Sequence, residues 1–180
     1  MSSLIEVEVK VRIDHPEGIS QKLKEAGGVL LGSSRQDDTY LNAPHRDYAR
    51  TDEALRIRST PNGAEITYKG PKLEGMGAKA REEMNIPIDD PALFIRLFSA
   101  LGFTPTAQVE KVREEWSYKG TKVSLDRVAG LGTYAEIEVI TGKGDCDNAL
   151  KKIDLVKKDL NITGEHIPES YLELLLATAK

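Results

Sequence analysis

The feature that most constrains this chain is its habit of placing charges two residues apart on strands whose other face is apolar. From Leu4 to Ile13 the alternation is strict. Ile5, Val7, Val9, Val11 and Ile13 share one face, and Glu6, Glu8, Lys10 and Arg12 share the other, because successive side chains of a strand point to opposite sides. The pattern returns along the chain. In 53–59, Leu55 and Ile57 oppose Arg56 and Arg58, and Pro61-Asn62-Gly63 turns the chain back through 64–69, where Ile66 and Tyr68 oppose Glu65, Thr67 and Lys69. The strand 80–88 sets Arg81, Glu83 and Asn85 on one side, 108–119 does so with Lys111, Arg113 and Glu115, and 122–128 with Ser124 and Asp126. In 134–140, Glu136 and Glu138 oppose Ala135, Ile137 and Val139. A single pair such as Arg56 and Arg58, or Lys111 and Arg113, reads as a solvated face with snorkelling stems. Recurrence on strand after strand does not.

If each strand turns its charged face inward, the sheet curls around a charged lumen. The expected fold is α+β: a closed or nearly closed antiparallel β-barrel, a tunnel with a polar, charged lumen. Its apolar faces then point outward and need covering, and amphipathic helices have the character to cover them. Pro16 to Ala26 carries Ile19, Leu23 and Ala26 as a stripe and stops at Gly27-Gly28. Asp90-Pro91 reads as a cap followed by a first helical proline, ahead of Leu93, Phe94, Leu97, Phe98 and Leu101. Residues 145–160 and 168–179 read as helices, 29–41 as a second strand, 42–52 as a polar loop and 70–79 as a basic glycine-rich loop. No linker, repeat or low-complexity segment divides the chain, so 1–180 is expected to be one domain.

Composition narrows the chemistry. A net charge of -4 and a pI near 5.5 disfavour a nucleic-acid binder. No long apolar run suggests a membrane span, no leader is evident at the N-terminus, and the expected location is the cytoplasm. Cys146 is the one cysteine, which excludes an intrachain disulfide and a thiolate metal site. His15, His45 and His166 are scattered, and no HExxH, P-loop or GxSxG motif is present. Chemistry must rest on carboxylates, Lys and Arg. Trp116 and Tyr118 read as outer-face packing, while Tyr40 and Tyr134 fit either packing or stacking.

A lumen bearing Lys10, Arg12, Arg56, Arg58, Lys69, Arg81, Lys111 and Arg113 needs an anionic occupant, since like charges crowded in a cavity repel at a cost on the order of several kcal/mol. These cations suffice for a triphosphate, and Arg forks bind phosphate oxygens in pairs. Glu6, Glu8, Glu136 and Glu138 beside phosphate would be repulsive without a hard divalent cation between, which points to Mg2+ or Mn2+.

Glu6-Val7-Glu8-Val9-Lys10 resembles the ExExK signature of the CYTH domain, the triphosphate tunnel metalloenzymes. That family includes class IV adenylyl cyclases, thiamine triphosphatases and inorganic triphosphatases. The resemblance keeps the family's order over nearly the whole chain, through Gln36-Asp37-Asp38-Thr39-Tyr40, Ala54-Leu55-Arg56-Ile57-Arg58, Thr67-Tyr68-Lys69, Arg81-Glu82-Glu83, Lys111-Val112-Arg113, Leu125-Asp126 and 131–138. It implies that Glu6, Glu8, Glu136 and Glu138 ligate metal, with Asp126 helping to hold a second ion. It implies that Lys10, Arg56, Arg58, Lys69, Arg81, Lys111 and Arg113 bind phosphate, and that Lys10, Glu8 and Asp126 are the catalytic set. It allows a homodimer. The Asp-Thr-Tyr run is most similar to the class IV cyclase-like branch, from which Leu41 and Trp116 depart, where Phe and Tyr are common. The leading expectation is an adenylyl cyclase making cyclic AMP and pyrophosphate from ATP. The alternatives are a metal-dependent hydrolase of tripolyphosphate, thiamine triphosphate or a nucleotide, and a non-catalytic polyphosphate or nucleotide sensor.

Overall fold

A computed structural model describes residues 4–72, 79–142 and 145–178. The strands are β1 (Leu4–Arg12), β2 (Val29–Asn42), β3 (Ala54–Thr60), β4 (Gly63–Lys69), β5 (Lys79–Arg81), β6 (Glu83–Ile88), β7 (Thr104–Tyr118), β8 (Thr121–Val128) and β9 (Gly132–Gly142). The helices are α1 (Pro16–Glu25), α2 (Tyr48–Thr51), α3 (Pro91–Ala100), α4 (Cys146–Leu160) and α5 (Tyr171–Thr178). The expected α+β class holds. All strand pairings are antiparallel, in one strongly curled sheet of order β5-β1-β9-β8-β7-β2-β3-β4-β6. The two ends of that order are neighbours in the chain, separated by Glu82 alone. The strand expected over 80–88 is thus two pieces. Arg81 pairs with Glu6 of β1, and Glu83 pairs with Lys69 of β4.

Much of the outer face of the sheet is apolar and covered, although Val112 of β7 and Ile86 of β6 remain exposed. Ile5, Val7, Val9 and Val11 of β1 join Val123, Leu125, Ala135 and Ile137 in a cluster with Ile19 and Leu23 of α1 and Ile153, Val156 and Leu160 of α4. A second cluster sets Leu41, Leu55, Ile57, Ile66 and Ile88 against Phe94, Ile95 and Phe98 of α3. Trp116 and Tyr118 lie in the first cluster, as packing groups. Local signals place the helices. Asp90 caps α3 by accepting from the Leu93 amide at 2.9 Å, and α4 ends where Asn161 takes a left-handed conformation with φ 55°.

Two expectations change. Part of the loop expected over 42–52 is the short helix α2, capped by Asp47. The last helix begins at Tyr171 rather than Pro168, and it packs not on the outside but with Val109, Val128 and Tyr134, which alternate with Lys111, Asp126 and Glu136 on the charged face. The segment before α5 lies against β1. His166 bridges to Val11, the Ile167 amide donates to the Lys10 carbonyl at 2.8 Å, and a Cβ on Gly164 would meet Val11 Cγ1 at 2.4 Å, so the approach requires glycine. The basic loop expected over 70–79 lies largely outside the described residues. Among the described residues no helix is long and apolar enough to cross a membrane.

Candidate functional site

The charged side chains of β1, β2, β3, β7, β8 and β9 meet on the concave face as two ion-pair clusters. Asp38 of β2 centres the first, 2% exposed and cross-strand from Arg58. Arg58 donates from Nε and from its terminal nitrogen to the two Asp38 oxygens at 2.7 and 2.8 Å. Lys111 Nζ donates to the same carboxylate at 2.8 Å, and Arg56 stands 3.8 Å away. Arg56 also donates to Thr67 Oγ1 at 3.0 Å, and that hydroxyl donates to Asn85. Burial opposes ionisation of Asp38, but the hydrogen bond from Arg58 and the charges of Arg56, Lys111 and Arg58 hold its carboxyl well below the usual range. Burial brings the Lys111 ammonium down to about 8, against the pull of Asp38 and with the help of Arg58, Arg113 and Arg56.

Arg113 of β7 centres the second cluster. It donates to Asp126 at 2.7 and 2.5 Å and also binds Glu136. Lys10 Nζ lies 3.2 Å from Glu136 and 3.9 Å from Glu8. It donates to the Glu169 carbonyl at 3.0 Å and sits 4.3 Å from the centre of the Tyr171 ring. The Tyr171 hydroxyl donates to Asp126 at 2.7 Å. Burial would raise the Glu136 carboxyl, but Arg113, Lys10 and Lys111 hold it well below its ordinary value.

A more exposed acidic edge lies beside these clusters. Glu8 and Glu138 are cross-strand partners, and Glu6 is two residues from Glu8. Burial, opposed by Lys69 and assisted by Glu138, Glu83 and Glu8, raises the Glu6 carboxyl to about 8. Lys69 pairs with Glu83, Lys122 with Glu138 at 3.0 Å, and Arg81 with Asp52 at 3.6 Å. No three His, Cys, Asp or Glu side chains stand together as a metal-holding group among the described residues.

Most of the residues expected to share a site therefore do share one face, in smaller groups than expected. Lys10, Arg56, Lys111, Arg113, Asp126 and Glu136 form its buried part, with Arg58 partly buried beside Asp38. Glu6, Glu8, Glu138 and Lys69 form its edge. Asp126 and Glu136, expected as metal ligands, are bonded to Arg113, and Glu136 also to Lys10. Arg12, grouped with the lumen by alternation, is exposed at the end of β1 and donates to the Leu131 carbonyl. Sequence reasoning quoted Asp38 and Thr67 within motifs but gave them no role, and it missed Lys122 and Tyr171. For Asp38 the alternation Gln36, Asp38, Tyr40 was a usable signal. Tyr171 had none.

A profile of the CYTH domain matches residues 4–171. A Methanocaldococcus jannaschii protein named provisionally as an adenylate cyclase is 38% identical over 173 residues, which span 95% of this chain and 98% of its own. A solved protein from Pyrococcus horikoshii OT3 superposes with a TM-score of 0.85 at 34% identity, covering 96% of this chain and 99% of that one. A Hippeastrum protein, provisionally an adenylyl cyclase and described as having a dominant triphosphatase activity, superposes with a TM-score of 0.69 at 20% identity over 96% of each chain.

Proposed function

The chain belongs to the CYTH domain family, and from that premise we propose that it is a divalent-metal enzyme of triphosphates whose reaction is the cyclisation of ATP to cyclic AMP and pyrophosphate. One observation carries this reading. Five cations, Lys10, Arg56, Arg58, Lys111 and Arg113, converge on one face around three buried carboxylates, Asp38, Asp126 and Glu136. Arg56 also reaches Glu65 at 3.4 Å and Lys10 stands 3.9 Å from Glu8, both on the more exposed side, so the positive excess is confined to the interior of the face. There it favours an anion, and the Arg56 Nε–H has no acceptor among the described residues. On this reading the sheet closes through β5 and β6 into a tunnel, with Lys69 and Arg81 extending the phosphate path toward the acidic edge.

Glu6, Glu8 and Glu138 would hold Mg2+ or Mn2+. Among the described residues they do not stand together as a ready-made metal-holding group, so an ion there would be shared with phosphate oxygens. What favours it is the Glu6 carboxyl, raised first by burial and further by Glu138, Glu83 and Glu8, whose mutual repulsion a cation relieves. A divalent ion there supplies charge neutralisation and polarises phosphate oxygens. Asp126 and Glu136 then serve Arg113 and Lys10 instead, which narrows the ligand set. Lys10, steadied by the Glu169 carbonyl and the Tyr171 ring, exchanges Glu136 for a phosphate oxygen. Arg56, Arg58, Lys111 and Arg113 hold the phosphate chain so that the 3′-hydroxyl meets the α-phosphorus in line, and they stabilise the charge gathering on pyrophosphate.

The name of the Methanocaldococcus relative supports cyclisation. Hydrolysis of a triphosphate is the second reading. It is favoured by Tyr134 and Tyr171, which pack edge on at 5.2 Å and are buried, so neither offers a ring face to a purine. The activity described for the Hippeastrum protein supports the same choice. Product identification with Mg2+ or Mn2+ decides. Cyclic AMP from ATP supports the first reading, and orthophosphate from tripolyphosphate without cyclic nucleotide replaces it with the second. Salt-sensitive binding without turnover would leave a sensor.

A further inference from the structure

Two buried polar side-chain atoms have no hydrogen-bond partner among the described residues: Nε of Arg56 and Oε1 of Gln36. They are of opposite kinds. The Arg56 Nε–H is a donor, which a phosphate oxygen satisfies. Gln36 Oε1 is an acceptor, which an ionised phosphate chain cannot satisfy. Gln36 is 5% exposed, shares the face of β2 with Asp38, and stands across the ladder from Lys111. A buried amide oxygen is costly to leave unpaired, so its partner is a donor brought by the ligand. If the site converts a triphosphate, the donor that must be held still is the attacking O–H. We infer that Gln36 orients that group, its Oε1 accepting the O–H hydrogen bond.

This rests on the triphosphate reading of the site. The attacking O–H is the ribose 3′-hydroxyl in cyclisation and water in hydrolysis. β2 is separated from β1 in the sheet by β9, β8 and β7, so Gln36 stands well around the curl from Glu6 and Glu8. In-line displacement places entering and leaving oxygens on opposite sides of phosphorus. The amide stays chemically unchanged. The new P–O bond forms on the held oxygen, the bond to the bridging oxygen breaks, its electron pair leaves with the departing phosphate group, and the O–H proton ends on a phosphate oxygen.

The test compares the full chain with Gln36→Met, which keeps the volume and removes the acceptor, and Gln36→Glu, which keeps an acceptor. The readouts are calorimetric Kd values for tripolyphosphate without metal, Kd values for ATP and 3′-deoxy-ATP, melting temperature, and kcat and KM with Mn2+. Gln36→Met should melt no lower than the natural protein and bind tripolyphosphate within about twofold of it, with kcat reduced about tenfold, the weight of one hydrogen bond to a reacting group. Gln36→Glu should keep a higher kcat than the Met variant, with a raised KM. If the oxygen is the ribose's, the natural protein prefers ATP to 3′-deoxy-ATP by about fivefold and Gln36→Met loses the preference. If it is water's, the two nucleotides bind alike and the kcat loss appears with tripolyphosphate. A Met variant of unchanged kcat overturns the inference. So does one in which KM alone rises, because Gln36 would then be donating to phosphate through Nε2. Tripolyphosphate binding without any turnover overturns it too, whereas absence of binding in the natural protein removes the triphosphate reading itself.

Discussion

Replacing Asp38 by Asn removes one charge and almost no volume, and stability and ligand affinity should then move in opposite directions. Asp38 is buried and holds Arg58, Lys111 and, at longer range, Arg56. Breaking a buried pair by neutralising one partner costs about 3–5 kcal/mol. The lower figure applies because the Asn oxygen still accepts a hydrogen bond. In a chain of this length each kcal/mol moves Tm by roughly 2–4 °C, so the ligand-free variant should melt roughly 6–12 °C lower. The released cation then attracts the ligand more strongly. A unit charge about 10 Å from phosphate at an effective dielectric of about 20 contributes about 1.7 kcal/mol, or at least tenfold in Kd for tripolyphosphate. Added at equal concentration, tripolyphosphate should therefore close about half of the stability gap. Thermal melts with and without ligand and calorimetry in metal-free buffer measure both quantities. The gap should also narrow in acid: a carboxyl held below its unfolded value of about 4 contributes stability above that pH and loses it as pH falls toward the folded value. A variant that melts within about 2 °C of the natural protein, or that binds tripolyphosphate more weakly, refutes the reasoning.

Lys111 carries a second pH dependence. With its ammonium lowered by burial to about 8, tripolyphosphate affinity should fall from pH 7 to 9 relative to that of Lys111→Arg, which stays charged and cancels the titration of the ligand's own terminal phosphate. Stability has the opposite sign, rising as pH passes from about 8 toward the unfolded value of about 10.4. Glu8→Gln should abolish metal-dependent turnover without a loss of melting temperature, tested by product formation against Mg2+ and Mn2+ concentration; normal activity would remove Glu8 from the metal site. Ile153→Ala on α4, fully buried in the outer cluster, should cost about 2–5 kcal/mol in denaturant melts and leave the tripolyphosphate Kd unchanged, and a shift in Kd would tie outer packing to the site.

The strands and the sidedness of the sheet were legible because a period-two alternation with one buried face tolerates no slip in register. β1 shows it most clearly: its apolar set is buried under α1 and α4, and Glu6, Glu8 and Lys10 lie opposite. The signal fails at strand ends, where Arg12 has the right parity and still reaches solvent. It also fails at breaks: nothing local distinguishes Glu82 from its neighbours, yet there the chain leaves one partner strand and joins another. α2 is too short for a helical period. The start of α5 is legible in a signal other than the proline. Pro168 suggests a first turn, but Ser170 and Glu173 form a capping box, the Ser170 amide donating to Glu173 at 2.6 Å and the Glu173 amide donating to Ser170 at 3.2 Å. The consequence, that Tyr171 meets Asp126 across 45 residues of sequence, is tertiary and leaves no local trace.

The carboxylates interleaved with the cations bear on which anions can bind. Asp38 already holds Arg58 and Lys111, and Asp126 and Glu136 already hold Arg113. A single phosphate must compete with one of these bonds for each cation it touches, and gains one contact in exchange. A chain of three phosphates reaches several cations together, and each contact after the first forms at high effective concentration. It also brings enough negative charge to replace what the displaced carboxylates supplied, so the cations are not left buried and unpaired. On the triphosphate reading, then, the acids that stabilise the ligand-free fold also weaken short anions more than long ones. Selectivity for a polyphosphate chain follows from that competition and requires no steric gate.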